Sequence, residues 1–198
     1  MPITVDRQTI LKYDIPGPRY TSYPTAPNWT TDVTASTYQE KLAQFGKTDK
    51  TLSLYIHLPF CQTMCTFCAC NVVIRRKEDQ YADEYLMYLF KEIELIRKFI
   101  GKKTLVEQFH WGGGTPTFLN ESQIEKLFSK IQESFEIDLN GEVAVEIDPR
   151  TIDRSKVKKM RSLGFNRVSM GIQDCDPVVQ KSVNRVQPFG MVKEFNDW

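Results

Sequence analysis

Residues 52–70 read LSLYIHLPFCQTMCTFCAC. The first seven, LSLYIHL (52–58), are β-rich and stop at a proline, which predicts a strand. Behind it hang four cysteines within ten residues: Cys61, Cys65, Cys68 and Cys70. The pattern recurs downstream. LVEQFHW (105–111) reads as a second strand running into GGGTPT, EVAVEID (142–148) as a third, and NRVSMGIQ (166–173) as a fourth. Helical patterns lie between them. Glu78–Ile100 carries Leu86, Leu89, Ile93, Ile96 and Ile100 on one face. A capping box at Asn120–Gln123 opens a helix with Ile124, Leu127, Phe128, Ile131 and Phe135 inward. Ser155–Leu163 is a third helix, stopped by Gly164. Asp176–Ser182 and Phe189–Trp198 begin two more. Strand and helix alternate four times, which predicts an α/β fold with parallel strands. Such folds bind ligands at the C-terminal ends of their strands. The unusual residues obey that rule: the cysteines follow strand one, the glycines follow strand two, Glu146 is near the end of strand three, and Gln173 ends strand four.

Residues 1–50 differ in character. PGPRYTSYPTAP (16–27) places prolines at 16, 18, 24 and 27, which forbid a continuous helix. With Tyr13, Tyr20, Tyr23 and Trp29 the segment reads as an extended arm that packs against something, followed by a short helix around Ala35–Phe45. The organisation expected is therefore 1–50 as an N-terminal arm with a short helix, and 51–198 as four β/α units. Four units do not easily close a barrel, and Phe189, Val192 and Phe195 form an amphipathic pattern that runs to Trp198 without a cap. A longer protein, or another chain over the sheet edge, is expected. The charge arithmetic, 26 Lys and Arg against 25 Asp and Glu, gives +1 over 198 residues that are 41% hydrophobic. It excludes a basic nucleic-acid tail and an acidic disordered chain. No run reaches the apolar length of a membrane span, and MPITVDRQTILKYD lacks the apolar core of a secretory signal. A cytoplasmic address is expected.

The cysteine spacing is Cys61-x3-Cys65-x2-Cys68-x-Cys70. A disulfide scaffold would spread its cysteines to close loops. Thiolates select zinc, copper(I) or iron–sulfur. Zinc usually takes two separated ligand pairs, and His110 is only a distant fourth ligand. Three cysteines in one loop suit three irons of a cubane and leave the fourth iron open to an external ligand. Cys70 sits too near Cys68 to ligate the same cluster easily, so it reads as a bystander or a reactive thiol. Cys175 reads as an ordinary loop cysteine. Phe60 and Phe67 flank the ligands, where they screen a cluster or face an adenine. The glycines of WGGGTPT (111–117) allow a ligand close to backbone N–H groups. They match neither a Walker loop nor GxGxxG. Glu146, Gln173 and Arg185 suit a zwitterionic or ribose-bearing ligand. The structural alternatives are a salt bridge of Glu146 with Arg150 or Arg167, and a solvated Arg185.

YIHLPFCQTMCTFCAC (55–70) carries the CxxxCxxC spacing at Cys61, Cys65 and Cys68, and on it the chain resembles the radical S-adenosylmethionine superfamily. PGPRYTSYPT (16–25), Cys70, HWGGGTPT (110–117), VEIDPR (145–150), NRVSMGIQD (166–174) and VNR (183–185) extend the resemblance to the oxygen-independent coproporphyrinogen III oxidase family. The resemblance implies the N-terminal portion of a partial (β/α)6 barrel behind an extended arm. It also implies a [4Fe-4S] cluster on Cys61, Cys65 and Cys68, with S-adenosylmethionine, two molecules in this family, at the site. One electron would yield a 5′-deoxyadenosyl radical, and two propionates of coproporphyrinogen III would become vinyl groups, giving protoporphyrinogen IX in anaerobic haem biosynthesis. By the same resemblance Tyr55 contacts the methionyl group and His57 lies near the cluster. Phe67, Gly113, Gly114 and Thr115 line the cofactor site, Glu146 and Arg185 bind the methionine moiety, and Gln173 binds the ribose. Cys70 is required without being a ligand. Apart from the resemblance, Arg19 reads equally as a partner for a propionate or as half of a structural salt bridge. An electron donor such as a flavodoxin or ferredoxin and a monomeric full-length protein are further implications. The family's ribose-binding aspartate, later strands and helical C-terminal domain would fall beyond residue 198. On that expectation the 198-residue chain binds a cluster poorly and does not turn over coproporphyrinogen III. Rival readings are another haem-related radical enzyme, or an iron–sulfur or haem-trafficking protein without turnover.

Overall fold

Alternating buried and polar positions build the sheet that carries the site. The computed structural model describes residues 6–14, 25, 28–76 and 80–198. It divides into two compact units, Met1–Tyr38 and Gln39–Trp198. In chain order the helices are α1 (Arg7–Tyr13), α2 (Ala35–Gly46), α3 (Gln80–Ile100), α4 (Glu121–Ser134), α5 (Arg154–Leu163), α6 (Pro177–Ser182) and α7 (Phe189–Asn196). The strands are β1 (Leu52–Leu58), β2 (Phe60–Cys61), β3 (Val73–Ile74), β4 (Leu105–Gly113), β5 (Glu136–Ile147) and β6 (Arg167–Met170).

In the first unit α1 replaces part of what reads as extended chain. Asp6 caps it by accepting from the backbone N–H groups of Gln8 and Thr9. Its residues are exposed, as are Tyr13 and Trp29. Arg19, Tyr20, Tyr23 and most of PGPRYTSYPTAP lie outside the described residues, as does the expected helix start at Glu78.

In the second unit the four long strands form one parallel sheet in the order β1-β4-β5-β6. Tyr55 pairs with His110 and His57 with Gly112, while Glu146 pairs with Ser169. Side chains alternate along a strand, so Tyr55, His57, His110, Gly112, Glu146 and Ser169 share one face. The opposite face presents Ile56, Leu58, Phe109, Trp111, Val143, Val145 and Ile147, all in the apolar core with Leu86 and Ile93 of α3 and Ile124, Leu127, Phe128 and Ile131 of α4. Trp111 meets Phe165 edge-on with centroids 5.0 Å apart, and Phe128 lies 5.4 Å from Phe165. The expected capping box closes α4 at Asn120 and Gln123, and the Gln123 amide also reaches Asp83 of α3. α5 is capped by Asp153 and ended by Gly164 at φ 111°. No helix among the described residues is long and apolar enough to cross a membrane.

Two strand boundaries and one small sheet differ from expectation. β5 begins at Glu136, six residues early, because the pairing with β4 runs through an irregularity between Val106 and Gln108 that skips the Asp138–Gly141 turn. β6 stops at Met170, so Gln173 lies three residues past the strand. Beyond it the Gly171 carbonyl accepts from Arg185 instead of a neighbouring strand. The β2–β3 pair, a second small parallel sheet, is not anticipated at all.

Candidate functional site

The cysteine loop is tied at its base. Val73 N–H donates to Pro59 O and Arg75 N–H to Cys61 O, so β2 and β3 staple the two ends of the segment that holds all four clustered cysteines. The glycine turn is zipped onto the same place: Gly114 N–H donates to Leu58 O and Thr115 N–H to Phe60 O, each at 2.9 Å. A third segment docks from beyond β6. Thr66 N–H donates to Val183 O, and the Asn184 amide donates to Met64 O at 2.7 Å. Asn184 holds φ 53°, a left-handed conformation that asparagine tolerates better than most residues. It turns the chain so that Arg185 points inward.

These segments enclose a cavity of about 240 Å³ at the C-terminal ends of β1, β4, β5 and β6. Cys61, Cys65, Cys68, Cys70, Phe67, Gly113, Gly114, Thr115, Glu146, Gln173 and Arg185 line it. Asp148 and Arg150 line it too, and neither is singled out by the sequence as a site residue. The available signal was their position, an Asp-Pro-Arg immediately past the end of the third strand. Tyr55 and His57 stand beside the cavity on the same sheet face. Phe60 does not face the ligands: it is buried, stacked on Phe118 with centroids 5.2 Å apart. Cys175 is exposed.

The polar wall is ordered. His57 Nε2 lies 2.9 Å from Asn71 O. A carbonyl can only accept, so in the neutral ring Nε2 carries the proton and Nδ1 accepts from the Tyr55 hydroxyl at 3.1 Å. Tyr55 also stacks on His110, with centroids 5.8 Å apart. Burial, with the charges of Glu146 and Cys70 nearby, raises the Tyr55 phenol above its usual value. Glu146 accepts from Gly113 N–H at 3.2 Å and sits 3.5 Å from His110. It pairs with neither Arg150 nor Arg167, which take Asp148 and Glu142. Gly113, at φ 117°, leaves no room for a Cβ, which would stand 2.8 Å from the His57 ring.

Asp148 organises the cationic wall. Its carboxylate takes the Arg150 guanidinium at 2.6 Å and stands 3.7 Å from that of Arg185. Burial pushes its carboxyl up, but the hydrogen bonds from Arg150 and the charges of both arginines hold it below the usual value. Arg185 is thus an inward cation, not a solvated one. Both guanidinium groups reach Cys65 Sγ, Arg150 at 3.8 Å and Arg185 at 3.7 Å. Behind this wall the hydroxyls of Thr115, Thr117 and Thr151 form a chain at 2.9 and 2.6 Å, and buried Lys156 donates to Thr117 O.

Burial, then the nearby Cys68, Asp148 and Cys65, pushes the Cys61 thiol up to about 11. A metal that binds there must displace a proton. Burial and Cys68 also raise the Cys70 thiol. Among the described residues no group of three or more His, Cys, Asp or Glu side chains stands close enough to hold a single metal ion. A cubane spreads its thiolates over separate irons, so that spacing is no obstacle to a cluster. A tied loop whose four thiols line the cavity, one of them hydrogen-bonded by two guanidinium groups, fits an anionic iron–sulfur centre.

The glycine turn supplies a direct test. A Cβ on Gly114 would lie 2.7 Å from the carbonyl oxygens of Pro59 and Phe60, backbone atoms with nowhere to go. Gly114→Ala is expected to cost about 1–3 kcal/mol in thermal or urea denaturation. Gly190→Ala, where a Cβ meets nothing within 4 Å, is the control and should cost nothing.

Comparison with known proteins places these observations in a family context. The sequence profile of the radical SAM superfamily matches residues 55–198. The chain is 44% identical over 184 residues to the oxygen-independent coproporphyrinogen III oxidase of Pseudomonas aeruginosa, covering 92% of this chain and 40% of that protein. It is 41% identical over 196 residues to the enzyme of the same name from Helicobacter pylori strain J99, covering 96% of this chain and 42% of that one. Among solved structures, coproporphyrinogen III oxidase from Escherichia coli, described as a radical SAM enzyme, superposes with a TM-score of 0.81 at 38% identity, over 93% of this chain and 40% of that chain. The chain therefore spans about two fifths of the length of the curated relatives it matches.

Proposed function

The chain belongs to the radical SAM superfamily, and from that membership we propose that Cys61, Cys65 and Cys68 hold a [4Fe-4S] cluster beside bound S-adenosylmethionine, in an enzyme that converts propionates of coproporphyrinogen III to vinyl groups. Residues 51–198 are read as the first four β/α units of the superfamily's partial barrel, with 1–50 as a substrate-facing arm. The observation that carries the reading is that the four clustered thiols, a glycine turn, a carboxylate and a guanidinium line one cavity at the strand ends.

A cluster held by Cys61, Cys65 and Cys68 beside S-adenosylmethionine would supply one-electron, radical chemistry for removing hydrogen from a propionate. The chain's own part is binding and exclusion of water. Glu146, held by Gly113 N–H, offers its carboxylate to the methionyl ammonium. Arg185 offers its guanidinium to the methionyl carboxylate, a pairing suited to its fork. Gln173 reaches ribose hydroxyls, and the exposed Phe67 ring offers a face to adenine. Gly113–Thr115 line the methionyl side of the cavity, where Gly113 lets the His57 ring close in and Gly114 lets the turn pack on the Pro59 and Phe60 carbonyls. Tyr55, oriented by His57, borders the methionyl end. Cys70, exposed on the cavity rim, acts on the substrate side and is not a ligand. The electron comes from a small redox protein of the flavodoxin or ferredoxin kind.

The test is anaerobic incubation of the chain extended to the length of its relatives, reconstituted with iron and sulfide, with reductant, S-adenosylmethionine and coproporphyrinogen III. The expected result is 5′-deoxyadenosine whose yield rises with the porphyrinogen, together with carbon dioxide. Formation of 5′-deoxyadenosine that is indifferent to the porphyrinogen would remove the substrate assignment and leave the cofactor assignment standing.

A further inference from the structure

We propose that Arg150, locked in place by Asp148, is a tuning residue for the cluster: it donates to the Cys65 sulfur and raises the reduction potential of the centre held there. The inference rests on the cluster reading above. The geometry is specific. Asp148 Oδ1 accepts from Arg150 backbone N–H and from Nε, both at 3.0 Å, and Oδ2 accepts from Nη2 at 2.6 Å. Nε also donates to Oδ2 at 3.1 Å, so the guanidinium itself is fixed by three hydrogen bonds to a carboxylate that is only 8% exposed. The same Nη2 points on to Cys65 Sγ at 3.8 Å.

An N–H···S bond and a fixed positive charge favour the more reduced, more negative state of an iron–sulfur centre. Asp148 does not cancel this. Its single charge is shared by two guanidinium groups, so the Asp148–Arg150–Arg185 trio keeps a net positive charge against the sulfur. Arg185 also reaches Cys65, but it is the group placed to engage a ligand carboxylate. Arg150 lines the same cavity but is anchored on Asp148, which holds its Nη2 against the sulfur. Partial burial strengthens the interaction by excluding water.

The experiment compares wild type, Arg150→Gln and Arg150→Lys, each reconstituted anaerobically without S-adenosylmethionine. Iron per chain is measured first. The midpoint potential of the loaded fraction is then followed by electron paramagnetic resonance during redox titration. Arg150→Gln should move the midpoint to more negative potential by roughly a tenfold change in the one-electron equilibrium, about 59 mV. Arg150→Lys keeps the charge without the fork and should fall between the two. A wild-type midpoint in Arg150→Gln, with or without loss of iron, overturns the inference and reduces Arg150 to a partner of Asp148. If the glutamine variant holds no iron, the lysine variant decides: a midpoint below wild type supports the inference, and an unchanged one overturns it. Wild type without iron overturns the cluster reading and this inference together.

Discussion

Cys65→Ala protein, reconstituted anaerobically with iron and sulfide, is expected to carry no cluster, whereas Cys70→Ala carries as much iron as wild type. Cys65 is the most enclosed of the clustered thiols, and it alone has two guanidinium donors on its sulfur. On the proposed ligand set its removal leaves two protein ligands for a centre that needs three, and takes away the sulfur that Arg150 and Arg185 reach. Cys70 lines the same cavity but is exposed, one residue beyond Cys68. A wild-type cluster holds about four irons, so the expected contrast is near-complete loss against no loss. Iron analysis and the broad visible absorbance of the oxidised centre read it out. Iron retained in Cys65→Ala and lost in Cys70→Ala would reverse the ligand assignment.

Trp111→Ala is the second large effect, and it acts on the fold. Trp111 is fully buried on the helix-facing side of β4, against Phe109, Phe128 and Phe165. Truncating a tryptophan in such a core costs about 3–5 kcal/mol, against a total stability of roughly 5–15 kcal/mol for a domain. The residue stands directly before Gly112–Gly114, so loosening β4 also loosens the floor of the cavity. Trp111→Phe separates the two contributions. The indole Nε1 has no hydrogen-bond partner, so phenylalanine loses volume but leaves no polar group stranded. It should cost well under half as much as alanine in urea denaturation. Equal costs for the two variants would contradict the packing argument.

The features that sequence reading captured are those with a long period or a chemical signature. β1, β4, α3 and α4 announce themselves by sustained apolar patterns, and α4 by its Asn120–Gln123 cap. The cysteines, the glycine turn, Glu146 and Arg185 stand out because few folds place such residues behind consecutive strands. What escaped has no period to read. β2 and β3 are two residues each and exist only because the cysteine loop closes on itself. The early part of β5 contains Asn140–Gly141, a turn signal that the strand absorbs as an irregularity. α1 is seven residues long, too short for a periodic face, although Asp6 was a legible cap. Asp148 and Arg150 are ordinary in sequence. Their importance comes from a three-dimensional fact, the convergence of two guanidinium groups on one sulfur 85 and 120 residues away in the chain.

The measurement that bears most directly on the central claim is the electron paramagnetic resonance spectrum of the reduced, reconstituted protein with and without S-adenosylmethionine. With the three thiolates proposed as ligands one iron stays open, so the account predicts a [4Fe-4S] signal that S-adenosylmethionine perturbs, and a perturbation that weakens when Glu146 is replaced by alanine. A cluster spectrum identical in the presence and absence of S-adenosylmethionine, or a reconstituted protein that holds no iron, would contradict it.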